Sequence, residues 1–140
     1  MSEKTLWAFL QSCIPNGHYS RIESGDTAPG FPDVHFQLAR GSGTIELKDA
    51  QHPARIPPFK DADDGLHISQ LSWIKLNLSF GGRMWIVARV GGRIYWIPGH
   101  QAPHFNGCRD LAKLASWATA GNLTDVDTQA IRKMLEGTLP

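Results

Sequence analysis

The chain has 140 residues, enough for one domain with a real hydrophobic core and short for two. A hydrophobic share of 41% against 19% charged residues excludes a disordered chain, and a net charge of +1 carries no signal for nucleic acid, which leaves a local basic patch to supply one. Two cysteines, Cys13 and Cys108, exclude a dense disulfide framework, and no apolar run reaches membrane-spanning length.

The expectation is therefore an intracellular, cytoplasmic protein whose cysteines are free thiols, one disulfide between them remaining open. Gln11 and Ser12 interrupt the short apolar patch near the start, which argues against a signal peptide.

Leu6, Trp7, Leu10, Cys13 and Ile14 recur at helical spacing and predict an amphipathic helix over residues 3–14, stopped by Pro15-Asn16-Gly17. HYSRIES, residues 18–24, alternates and predicts a strand, and GDTAPGFP is turn chemistry. In DVHFQLA, Val34, Phe36 and Leu38 share one face, with Asp33, His35 and Gln37 on the other. The GSG at 41–43 is expected to turn the chain. TIELKD then sets Ile45 and Leu47 on one face and Glu46 and Lys48 on the opposite one.

Residues 50–65 hold three prolines and little periodicity, and predict a long loop of the kind that is functional or mobile. Leu66, Gln70, Trp73, Ile74 and Leu78 lie near one helical stripe that Gly81-Gly82 ends. RMWIVARV reads as a buried strand, Gly91-Gly92 as a hairpin turn, and RIYWIP as the return strand. Residues 99–107 are expected as loop. Leu111, Leu114, Ala115 and Ala118 mark another helix. Thr124 with Asp127 opens a last one, striped by Ala130, Ile131, Met134 and Leu135 and stopped at Gly137. The order implies a single α/β domain with a mixed sheet flanked by helices, its core at about 3–98 and C-terminal helices over about 108–137.

Glu46 and Lys48 stand about 7 Å apart on one side of their strand. Asp33 follows a proline at the mouth of the neighbouring strand. If the two strands pair as a hairpin, Asp33 and Glu46 converge on one end of the sheet. Two carboxylates at close range repel each other, and a divalent cation resolves that conflict. Mg²⁺ takes a few carboxylate oxygens, keeps several waters and binds phosphate in the remaining positions. The Lys48 ammonium would face that phosphate or the attacking water, and metal-assisted phosphodiester hydrolysis is the reaction that uses all three groups.

Each signal has a plainer reading. Asp33, Glu46 and Lys48 could be an exposed strand-face ion pair, worth little. Glu23 could be a solvated strand-end acid and Gln70 an ordinary helix residue. Trp73 is expected in the core. Of the basic residues, one or two of Arg21, Arg55 and Lys60 are the expected phosphate contacts, most of the rest being solvated. His100, His104 and Cys108 step by four, but Pro103, Gly107 and the lack of a fourth ligand argue against zinc. His35 shares a face with Asp33 and is expected to line the cleft.

Pro32-Asp33 followed by Glu46-Leu47-Lys48 resembles the PD-(D/E)XK nuclease motif. With RIES before the turn, GFPDV, GTIELK, Gln70-x-x-Trp73 and GGRMWIVARV, residues 18–97 resemble the virus-type replication-repair nuclease (VRR-NUC) branch. That branch is akin to Holliday-junction resolvases and common in phages.

The resemblance implies a restriction-endonuclease-like mixed central sheet with helices on both sides. It implies that Asp33 and Glu46 hold Mg²⁺ or Mn²⁺ with the backbone carbonyl of Leu47, and that Glu23 is a further acidic ligand, direct or through water. Lys48 would position or activate the attacking water, and Gln70 would reach in from the covering helix. The implied activity is a metal-dependent DNA endonuclease acting on branched DNA such as a Holliday junction, flap or splayed duplex. Paired cuts would need a homodimer, and a phage-encoded enzyme would work in a bacterial host cell. The long loop and the C-terminal helices depart from the shared pattern. Two other readings stand beside this one: a catalytically idle module of the same fold that binds DNA or a replication partner, and an unrelated hydrolase using Glu23 and Glu46 as an acid/base pair.

Overall fold

The structure, a computed structural model, describes residues 6–8, 10–11, 17–22, 30, 32–120, 131, 135 and 136. Among the described residues, six strands form one sheet in the order of the chain: β1 (His18–Arg21), β2 (Val34–Leu38), β3 (Gly41–Asp49), β4 (Met84–Val90), β5 (Arg93–Pro98) and β6 (Trp117–Ala120). Neighbours are antiparallel except β3 and β4, which run parallel. A parallel pair needs a crossover, and α1 (Ile68–Ser79) lies in that connection. The α/β class and mixed sheet implied by the order of elements are what the chain forms.

Period-two alternation gives the sheet two apolar faces. Val34, Phe36, Leu38, Ile45, Leu47, Val87, Ile94 and Trp96 pack with Leu6, Leu10, Ile131 and Leu135 on the first. Met84, Ile86, Ala88 and Ile97 pack with Ile74 of α1 and with Phe59, Leu66, Ala102, Phe105 and Leu111 on the second. β4 is covered on both sides, which is why its apolar run is continuous. Helix α1 ends where Gly81 takes φ +81, a left-handed conformation that glycine adopts without strain.

Several expectations are corrected. The hairpin turn is Ala39-Arg40, with Leu38 opposite Gly41, so GSG lies inside β3. Gly43 faces Phe36, and a Cβ there would sit 2.6 Å from the Arg83 carbonyl oxygen and 2.9 Å from the Phe36 ring. These glycines serve close packing, not turning. The loop after β3 is irregular as expected, but it is pinned. Phe59 packs on Phe105 at 4.9 Å, and the Gly107 N–H donates to the Phe59 carbonyl at 2.8 Å. Asn106 exchanges two hydrogen bonds with Leu66, at 2.8 and 2.9 Å. Residues 99–104, expected as loop, form a 3₁₀ helix.

The helix expected over Leu111–Ala118 is instead one 3₁₀ turn, Leu111–Lys113, followed by β6. Asp110 caps the turn by accepting the Ala112 N–H at 3.2 Å. The Ser116 N–H then bonds the Trp96 carbonyl at 2.9 Å, and the outer edge of β5 takes the segment as a strand. Ile131 and Leu135 are helical and buried. Thr124, Asp127, Ala130, Met134 and Gly137, together with Cys13 and Ile14, lie outside the described residues. Among the described residues, no helix is long and apolar enough to cross a membrane.

Candidate active site

The backbone of β3 alternates its allegiance. The Thr44 N–H donates to the Arg83 carbonyl at 3.0 Å and the Ala50 N–H to the Arg89 carbonyl at 2.9 Å, so even-numbered residues bond toward β4. Odd-numbered residues bond toward β2, whose ladder ends at the pair Val34–Ile45. Leu47 is the next residue facing that edge, and its N–H donates to Asp33 Oδ2 at 2.8 Å. An extended residue points its N–H and C=O to the same side, so the Leu47 carbonyl is directed to the same edge as Asp33. Asp33 is held there by the buried Pro32 before it and by its own carbonyl, which accepts the Ile22 N–H at 2.7 Å and so ties it to the end of β1. Arg21 Nη1 stands 3.9 Å from Asp33 Oδ1.

The side chains of β3 set a second group beside the first. Glu46 and Lys48 share the face covered by α1 and are 3% and 8% exposed. That burial removes the reading of an exposed strand-face pair. Lys48 Nζ lies 3.8 Å from Glu46 Oε1. Gln70, in the first turn of α1, bridges them: its Nε2 donates to Glu46 Oε1 at 2.8 Å, and its Oε1 accepts from Lys48 Nζ at 3.2 Å. The same oxygen accepts the His67 N–H at 2.9 Å, which fixes the amide at the helix start. The carboxamide suits this place because one end donates to a carboxylate and the other accepts from an ammonium. Burying two charges costs desolvation that their attraction repays only in part.

Two carboxylates and a backbone carbonyl near one end of β3 form a hard oxygen donor set, which fits Mg²⁺ or Mn²⁺ and not a soft metal. Among the described residues no three His, Cys, Asp or Glu side chains converge, so Asp33 and Glu46 would leave most of an octahedral shell to water and phosphate. Glu23 lies outside the described residues. For a nuclease of the kind the sequence resembles, replacing Gln70 by alanine is expected to lower kcat by about 10- to 100-fold with little change in KM, because Lys48 and Glu46 would lose the group that orients them. Steady-state cleavage kinetics read this directly.

The other expected residues scatter. Arg21 is exposed beside Asp33, and Lys60 is exposed on the loop. Arg55 is turned inward, donating to Asp64 Oδ2 at 2.7 Å and to the Pro58 carbonyl at 3.1 Å, so it staples its own loop. Trp73 is half-buried against the second core, as expected. His100, His104 and Cys108 meet in no cluster among the described residues. His35 pairs across the ladder with Thr44, the first residue of the strand TIELKD, which extending the alternation of Lys48 and Glu46 two residues back places on the same face.

No family model matches this chain, and no curated protein matches it. Among solved structures it is similar to Hjc, a Holliday junction resolvase from Archaeoglobus fulgidus, with 15% identity and a TM-score of 0.49 over 71% of this chain and 75% of that chain. At that distance the likeness is one of backbone arrangement and brings no residue of the site with it.

Proposed function

We propose that the chain is a metal-dependent nuclease that hydrolyses phosphodiester bonds in DNA. The observation that carries this is the buried Lys48–Gln70–Glu46 bridge on the strand whose edge holds Asp33 and the Leu47 carbonyl. Asp33, Glu46 and the Leu47 carbonyl would hold Mg²⁺ or Mn²⁺, with Glu23 as a further ligand. The cation, when bound, would polarise the phosphate and offset the negative charge that builds on it. Lys48 carries three N–H donors, of which one goes to Gln70 and one faces Glu46. The third would serve substrate, orienting the attacking water or steadying a phosphate oxygen. Burial strengthens each of these contacts relative to water.

On this reading the chain is a single restriction-endonuclease-like domain, falls with the virus-type replication-repair nucleases and cuts branched DNA as a homodimer in the cytoplasm. If phage-encoded, it does so in a bacterial host cell. The test is a panel of labelled four-way junction, flap and linear duplex with Mn²⁺ or with EDTA. Cleavage with Mn²⁺ and its loss in EDTA are expected. Tight binding of every substrate with cleavage of none would make the chain an idle binding module instead. Activity that survives EDTA would point to Glu23 and Glu46 as an acid/base pair.

A further inference from the structure

The face of β3 that carries Lys48 and Glu46 continues past them into an open groove of about 530 Å³. Thr44, two residues before Glu46, lies on its floor with Ser42 and with His35, the cross-strand partner of Thr44. Arg40 stands at the hairpin turn, and Asn77 and Arg83 line the opposite side. We propose that this groove seats the phosphates of the DNA strand leading into the candidate active site, an inference that rests on the nuclease reading.

Three observations carry it. Among the described residues that line the groove are two arginines and a histidine, and no carboxylate. Glu136, close by, accepts the backbone N–H of Arg40 at 2.8 Å. Thr44 is 7% exposed, and its Oγ1 has no hydrogen-bond partner among the described residues. A buried hydroxyl without a partner is a cost in a native fold, and a phosphate oxygen is the acceptor that would relieve it. The buried Asn77 Oδ1 is likewise without a partner among the described residues, and turning that amide over would present an NH₂ donor in its place. The third is length. From Ser42 in the groove to Glu46 in the candidate site the strand runs about 13 Å at about 3.3 Å per residue. That length has room for more than one phosphate of a strand entering the site. The groove thus supplies the basic patch that net charge conceals.

The test is binding of fluorescein-labelled DNA to the full chain in EDTA, by anisotropy, over about 50 to 200 mM salt. Arg40→Ala with Arg83→Ala is expected to weaken binding at least tenfold and to reduce the log–log salt slope by about 2, near 0.9 per phosphate lost. Thr44→Val is expected to weaken binding severalfold while holding or raising the melting temperature, a pairing that a merely structural threonine would not give. Arg40→Ala alone, expected to lower the slope by about 1, keeps the test intact if the double variant does not fold. Wild-type affinity and slope in the folded variants would overturn the proposal. So would millimolar inorganic phosphate that stabilises the wild type and not the variants while DNA binding is the same in all, since the groove would then be a small-anion site. EDTA-sensitive cleavage with an unchanged slope would sink the groove alone. A changed slope with no cleavage under any metal would uphold the groove and remove the nuclease.

Discussion

Replacing Lys48 by methionine is expected to lower DNA cleavage by about 100-fold or more and, at the same time, to tighten Mn²⁺ binding. Methionine keeps the apolar stem that Lys48 buries but loses the ammonium that faces Gln70 and Glu46. With that cation gone, Glu46 is left as a buried carboxylate with its positive partner removed, a change that costs about 3–5 kcal/mol in the metal-free protein. A divalent cation no longer competes with an ammonium 3.8 Å from Glu46 Oε1, so Mn²⁺ should raise the melting temperature of the variant more than that of the wild type. Calorimetric Mn²⁺ titration and a cleavage time course together separate holding the ion from using it. Asp33→Asn makes the contrast. Its amide oxygen can still accept the Leu47 N–H, but a ligand charge is lost, so binding and cleavage should fall together. Cleavage by Lys48→Met at the wild-type rate would remove Lys48 from the chemistry.

Arg89→Met is expected to produce a large loss of stability, about 3–5 kcal/mol. Arg89 and Asp49 stand side by side across the parallel ladder and meet at two points, Nε to Oδ1 at 3.2 Å and Nη2 to Oδ2 at 2.9 Å. Their side chains are 10% and 4% exposed, so water cannot substitute for a missing partner. In urea the midpoint should drop by at least about 1 M, given slopes of about 1–3 kcal/mol/M. Changing Asp49 to leucine in the same chain should recover most of that loss, because the penalty belongs to the stranded carboxylate more than to the absent ion pair. A double variant as unstable as the single one would show that Arg89 acts through its other contacts.

How much of this could be read from residues alone depended on how strongly each segment was patterned. The alternation in VHFQL and TIELKD placed Glu46 and Lys48 opposite Ile45 and Leu47, and both strands lie as that alternation required. The apolar run of β4 and the Gly91-Gly92 hairpin were equally plain. Leu111, Leu114, Ala115 and Ala118 misled because four apolar residues at helical spacing also suit a short turn feeding a strand. The edge of β5 decided between them, and that edge exists only once the sheet has formed. The same limit hid the burial of Glu46 and Lys48, since α1 had to be laid over the sheet before they lost water. Nothing in the string reveals that Asp64 and two proline carbonyls accept hydrogen bonds from Arg55.

The parallel pairing of β3 with β4 has a kinetic consequence. Slipping that ladder by one residue would move Glu46 and Lys48 to the opposite side and bring Ile45 and Leu47 round in their place. Such a pairing joins segments about forty positions apart, a closure that chains reach late and slowly. Partly folded chains would therefore be catalytically silent, and recovery of cleavage after dilution from denaturant should trail the return of helical signal.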